Sequence, residues 1–152
     1  MEIGIIGLPQ SGKTTLFNAL TRGRAAVALT QSAEADLHVG VSKVADPRLG
    51  VLAKMFRPRK VVAAEIKYWD IPAASQGLDQ GKGISGRFLN VLQKADALVC
   101  VVRAFDDPSV PHVEGSVDSH RDAVTMEMEL AMADLAFLER HVQELDSVVR
   151  DL

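Results

Sequence analysis

The chain has 152 residues, 47% hydrophobic and 24% charged, which excludes general disorder and supplies apolar matter for one core of ordinary domain size. Seventeen Lys and Arg against twenty Asp and Glu leave a formal charge of −3, which argues against a dedicated nucleic-acid binder though not against a local basic patch. The one cysteine, Cys100, excludes an internal disulfide framework. No apolar run approaches the ~20 residues of a bilayer crossing, and the N-terminus lacks the flank and length of a signal peptide, so the expectation is a soluble cytoplasmic protein without membrane contact.

Residues 2–6, Glu-Ile-Gly-Ile-Ile, form an almost unbroken apolar run, the pattern of a strand buried on both faces of a parallel sheet. A Gly/Pro/Ser loop over 7–12 leads into a helix over 13–21 with Leu16, Phe17 and Leu20 on one face, ended by Gly23 and Arg24. Residues 25–36 show no period and read as a loop, and 37–44 alternate as a half-exposed strand. Asp46 as N-cap and Pro47 in the first turn open a helix with Leu49, Leu52, Ala53 and Phe56 on one side. Residues 61–70 read as a strand ending in an acid. The Gly- and Ser-rich stretch 72–86 reads as a mobile loop, and roughly 86–94 as a helix. Residues 97–103 contain Ala-Leu-Val-Cys-Val-Val, a further doubly buried strand, and 105–117 is a connection with Pro108 and Pro111.

From about residue 118 to 152 there is neither Gly nor Pro. Ser119 with Asp122 three residues later is a capping start. Met128, Ala131, Leu135, Leu138, Val142, Leu145, Val149 and Leu152 then follow at spacings of three and four, a heptad seam. A straight helix of that length runs ~50 Å, so its distal part is expected to leave the globular body.

Gly7-Leu8-Pro9-Gln10-Ser11-Gly12-Lys13-Thr14 satisfies G-x-x-x-x-G-K-[ST], with a buried strand directly before and an amphipathic helix directly after. Backbone N–H groups of such a loop form an anion cradle, and the helix N-terminus adds about half a positive charge. Residues Gln10, Ser11, Gly12, Lys13, Thr14 and Thr15 are the candidate phosphate cradle. Lys13 reaches the β- and γ-phosphates as a point charge and is the candidate catalytic residue, and the Thr14 hydroxyl is a candidate Mg²⁺ ligand. Asp70, at a strand end about fifty-six residues on, is the second candidate for holding Mg²⁺. The residues after it resemble a D-x-x-G switch whose glycine has become Ala73. Ala74 stands where a water-orienting glutamine is common, so intrinsic hydrolysis is expected to be slow.

Together these residues resemble the YchF subfamily of Obg-like P-loop GTPases and ATPases. Ile3 to Pro9, running into Gly12 to Thr21, is similar to its first motif. Val39-Gly40-Val41 and Asp46-Pro47-Arg48-Leu49 resemble its second strand and next helix, and Asp70-Ile71 with Gly81-Lys82-Gly83 its switch II. Val101 to Phe105 and His112-Val113-Glu114-Gly115 resemble its fourth strand and the segment after it, and the long final helix the first arm of its coiled coil. The resemblance implies GTP or ATP as ligand, Mg²⁺, slow hydrolysis as a molecular switch, and a ribosome partner. It also implies that the base-reading motif, the return arm and a C-terminal domain lie beyond Leu152. Two positions depart from the family: Ala73, and switch I, where the magnesium-completing threonine is replaced by Glu34 with Thr30 and Ser32 nearby.

Lys54, Arg57, Arg59 and Lys60 form a basic cluster at a helix end, a solvated terminus rather than an RNA contact, since no aromatic platform accompanies it. His38, His112, His120 and His141 lack metal-ligand spacing and read as structural or surface residues. Cys100 reads as an inert core thiol, and Met126, Met128 and Met132 as packing for the last helix. The expected fold is therefore a three-layer α/β P-loop NTPase, its sheet mostly parallel. By family analogy, the second and third strands pair antiparallel at one edge. Residues 1–117 form the nucleotide-binding domain and 118–152 the coiled-coil helix, which pairs with a partner or self-associates. The competing readings are a nucleotide-binding interaction module that no longer hydrolyses, and a coiled-coil scaffold with a vestigial loop.

Overall fold

A strand that is apolar on both faces needs a layer on each side of it. In the computed structural model, which describes residues 1–22, 37–72 and 91–150, β1 (Glu2–Ile6) takes that place. It is followed by α1 (Lys13–Thr21), β2 (His38–Lys43), α2 (Pro47–Phe56), β3 (Glu65–Asp70), β4 (Ala97–Cys100) and α3 (Ser119–Arg150). The described strands form one sheet in the order β2-β3-β1-β4. β1 pairs parallel with β3, from Glu2↔Lys67 to Ile5↔Asp70, and parallel with β4, from Ile3↔Ala97 to Ile6↔Cys100. β2 runs antiparallel to β3, with His38 opposite Asp70 and Lys43 opposite Glu65. The mixed, mostly parallel sheet with an antiparallel edge is the one expected.

Successive strand residues point to opposite faces, so Ile5 and Ile6 serve two cores. On one face Ile5, Tyr68 and Phe17 of α1 pack together, with Ile3, Leu16, Leu20, Ile66 and Val101 around them. On the other, Ile6, Trp69, Ile71 and Met126 of α3 form the second core. Helices therefore cover both faces, in three layers. α1 lies so close to β2 that a Cβ on Gly40 would stand 2.4 Å from Thr21 Cγ2 and 3.0 Å from Phe17 Cζ. The helix closes on Arg22, in the left-handed region at φ 54°; the stop expected at Gly23 and Arg24 falls outside the described residues, as do the loops over 25–36 and 73–86.

Three expectations are corrected. α2 begins as predicted, with the Asp46 carboxylate accepting the Arg48 N–H at 2.9 Å, but it buries none of its residues, and Phe56 is 73% exposed. The reason lies in the topology. α2 joins two antiparallel neighbours, so it is an excursion between them and not a crossover laid over a sheet face. β4 spans only Ala97–Cys100, and its burial alternates, leaving Leu98 and Cys100 exposed. It ends the strand order among the described residues, and the face it turns away from Val101 is only partly covered. The start of α3 is capped by Asp118, not Ser119. The Asp118 Oδ1 accepts the N–H groups of His120 and Arg121 at 3.1 and 3.0 Å.

Asp122 is free for another task. Buried, it takes His112 Nε2 at 2.8 Å on one oxygen and Arg121 Nη2 at 2.8 Å on the other, satisfying a carboxylate that would be costly alone. Upstream, buried Arg103 donates to the carbonyls of Phe105, Asp107 and Val110 and shapes the connection. α3 has 32 residues, so it is ~48 Å long. Its buried residues are Asp122 and Met126, and every residue over 134–150 is exposed, including the seam positions Leu135, Leu138, Val142, Leu145 and Val149. Among the described residues no helix is long and apolar enough to cross a membrane.

Candidate functional site

The chain leaves β1 at Gly7, where a Cβ would stand 2.3 Å from the Val101 carbonyl oxygen, so only glycine lets the loop pass β4 this closely. Gln10 at φ 61° and Gly12 at φ 98° then turn the loop back, and α1 starts at Lys13. The helix has no side-chain cap and no acid in its first turn. The N–H groups there lack the partners that a capping residue normally supplies, at the positive end of the helix dipole. A Cβ on Gly12 would meet nothing within 4 Å, so the space before the helix is open. Ser11 is buried, and its Oγ has no hydrogen-bond partner among the described residues.

Lys13 folds back along the loop and donates from Nζ to the carbonyls of Gly7 at 3.0 Å and Leu8 at 2.7 Å. Burial pushes its pKa below the ordinary lysine value, against the opposing pull of the Asp70 carboxylate and, less, of Cys100. Thr14 and Thr15 face solvent. Thr14 Oγ1 donates to Asp70 Oδ2 at 2.8 Å, joining the first turn of α1 to the end of β3 across 56 residues of sequence. Asp70 is 4% exposed. The predicted residues Gln10 to Thr15 and Asp70 thus meet at one end of the sheet. Thr30, Ser32, Glu34, Ala73, Ala74 and Gly81 to Gly83 lie outside the described residues.

The donor set bears on magnesium. Among the described residues no three His, Cys, Asp or Glu side chains could hold a metal ion by themselves. Thr14 and Asp70 bring a hydroxyl and a carboxylate oxygen within 2.8 Å, two hard donors of the kind Mg²⁺ takes when phosphate and water oxygens complete its shell. The residues fit the ion. Cys100 is exposed at the end of β4, not in the core. Desolvation, then the charge of Glu127, holds its thiol above the ordinary range against the opposing pull of Lys13, so its expected inertness keeps a physical basis.

His38 was missed. Its Nδ1 lies 3.6 Å from Asp70 Oδ2, the same oxygen that accepts Thr14. Ligand spacing within the sequence gives no hint of it. The usable signal was the antiparallel pairing of the second and third strands, which puts the first residue of one opposite the last of the other.

A glycine loop between a buried central strand and an uncapped helix, with a carboxylate of the parallel neighbour strand bound to the threonine after the lysine, is the architecture of P-loop GTPases. The profile of the family described as 50S ribosome-binding GTPase matches residues 2–134. The chain is 36% identical over 150 residues to the Ribosome-binding ATPase YchF of Bacillus subtilis (strain 168), a match covering 99% of this chain and 41% of that protein. It is 38% identical over 144 residues to the protein of the same name from Haemophilus ducreyi, covering 95% and 40%. The structure of the Schizosaccharomyces pombe YchF GTPase aligns at a TM-score of 0.67 and 34% identity, covering 97% of this chain and 39% of that one. The G domain of the T. maritima FeoB iron transporter aligns at 0.52 and 20% identity over 87% of this chain and 65% of that one, a likeness of fold alone. The chain belongs to the 50S ribosome-binding GTPase family, and the YchF resemblance read from its motifs is borne out. It spans about 40% of the length of these YchF relatives.

Proposed function

We propose that the chain binds a nucleoside triphosphate, GTP or ATP, with Mg²⁺, hydrolyses it slowly, and works as a conformational switch at the ribosome. The observation that carries this reading is the 2.8 Å bond between Thr14 and Asp70 beside an uncapped helix N-terminus. The backbone of Gln10 to Thr15 cradles the phosphates, and Gly12 leaves room for them. Lys13, tethered to Gly7 and Leu8, places its ammonium on the β- and γ-phosphate oxygens and stabilises the charge that grows there during transfer. Thr14 and Asp70 hold the ion. An ion held by Thr14 and Asp70 would supply positive charge to the phosphates.

The ribosome enters from the ribosome-binding relatives, and a cytoplasmic location follows from it. Residues 1–117 are the nucleotide-binding domain. Residues 118–152 are a coiled-coil arm whose exposed seam takes a partner helix or a second copy. Single-turnover hydrolysis with Mg²⁺ tests the enzyme. Turnover that Lys13→Ala abolishes supports it, and calorimetry showing no triphosphate binding to the unaltered chain overturns it. The second reading, a binding module without hydrolysis, draws on Ala73 and Ala74 in place of the switch glycine and glutamine. Tight binding without turnover decides for it.

A further inference from the structure

Two amphipathic surfaces of the chain lie uncovered, and their charges are opposite. The first is the distal seam of α3, exposed at Leu135, Leu138, Val142, Leu145 and Val149. In the heptad places beside that seam stand Asp134, Glu139, His141 and Asp146, while Arg140 and Arg150 take outer places. A second α3 is a poor cover for it. In a parallel pair Asp134 faces Glu139, and in an antiparallel pair the row holding Glu139 and Asp146 faces itself. The second surface is α2 and the turn after it. Val51 with Met55 and Leu52 with Phe56 are two i, i+4 pairs on one stripe, and all four are exposed. Val61 and Val62 continue the exposed apolar surface past the helix. From 47 to 64 there are five cations and no acid, in a chain whose formal charge is −3. Asp46 holds one of them, Arg48, at 2.6 Å. Lys54, Arg59 and Lys60 are exposed beside the apolar side chains.

Resting on the reading of α3 as an arm with an exposed seam, we infer that the corner from α2 to Val62 docks the distal half of α3 from a second copy of this chain. An exposed apolar patch rimmed by charge marks a docking site. Its occupant must bring apolar side chains and negative charge together. Nucleic acid would meet the cations and leave Met55 and Phe56 in water, whereas the acid-flanked seam satisfies both. The arm belongs to another copy because α3 is one continuous helix from Ser119 to Arg150, rooted in the core at Met126, and its distal half touches nothing of its own body. Residues 134–150 span ~25 Å, enough to cover the ~15 Å of α2 and the turn beyond it. Like charges keep arm from arm, and opposite charges bring arm to corner.

The test is sedimentation of the full chain over a concentration series at low and high salt. Self-association that weakens with salt is expected. Lys54→Glu with Arg59→Glu and Lys60→Glu reverses the corner, and Asp134→Lys with Glu139→Lys and Asp146→Lys reverses the arm. Each triple variant alone is expected to associate about tenfold more weakly or worse. An equal mixture of the two is expected to associate again, because each then meets the opposite charge on the other, and that recovery also shows both variants folded. A mixture that does not recover overturns the inference. So does an unaltered chain that stays single at every concentration, whether or not its corner binds single-stranded RNA. Corner reversal without effect, where arm reversal weakens association, overturns the inference and leaves the reading of the arm standing. Association indifferent to both reversals overturns both.

Discussion

Lys13 illustrates how one side chain carries opposed demands. Burial lowers its pKa, so its ammonium is lost below the 10.5 of a free lysine. In the window between the depressed native value and 10.5 the unfolded chain binds more protons than the folded one, so folding stability rises with pH there. A polyanion needs the ammonium, so its affinity falls as pH rises through the same window. Opposite slopes of stability and triphosphate affinity, both absent in Lys13→Ala, are expected from urea unfolding and calorimetry at a series of alkaline pH values. A second pair of variants concerns the ion. Thr14→Ala and Asp70→Asn each remove one oxygen donor of the pair that meets at 2.8 Å. Each is expected to reduce the Mg²⁺-dependent part of triphosphate binding about tenfold or more and to leave the Mg²⁺-free part nearly unchanged.

These residues differ in how far the sequence disclosed them. The loop from Gly7 to Thr14 is a local motif, legible because its backbone turn, its lysine and its threonine are contiguous. Asp70 was legible because it ends an apolar strand run about fifty-six residues after the loop, where hydrolases of this fold place a magnesium-holding acid. The approach of His38 to Asp70 was not, because it depends on a pairing between segments 32 residues apart. The buried Asp122–His112 contact was not legible either, because it closes a ten-residue connection that carries no spacing motif, and capping logic pointed to Ser119 where Asp118 does the work.

Among the elements, α1 is the piece that ties chemistry to core. Phe17 is 1% exposed between Ile5 and Tyr68, one helical turn after Lys13 and Thr14. Phe17→Ala removes the central side chain of that face and is expected to cost about 3–5 kcal/mol in urea unfolding. Gly40→Ala forces Thr21 and Phe17 away from β2 and is expected to cost about 1–3 kcal/mol by the same measurement. Amphipathic pattern alone misjudged α2 and β4. It reports which residues could share a face, not whether a layer waits to cover that face. α2 hangs between antiparallel neighbours, and β4 closes the order of described strands, so apolar residues in both stay exposed.

At the scale of the whole molecule the chain divides by burial. Everything that packs α3 onto the sheet lies in its first half, around Asp122, Met126 and Leu130, while residues 134–150 are exposed throughout. Deleting that distal half is expected to change the unfolding free energy of the remaining body by less than about 0.5 kcal/mol and to leave triphosphate affinity unaltered, as denaturation and calorimetry will read. The exposed seam makes a separate prediction. Leu138→Glu with Leu145→Glu is expected to abolish any self-association of the full chain seen by analytical ultracentrifugation.

The root of α3 is held by the Asp122 carboxylate on His112 and by Met126 in the core beside Ile6 and Trp69, and its far end is held by nothing described. Such a rod is a lever with a short inner arm and a long outer one. A rotation of about 10° at Asp122 would sweep the tip through about 7 Å, given 1.5 Å of rise per residue. A displacement that small at the base thus becomes, at the far end, one comparable to the width of a neighbouring helix.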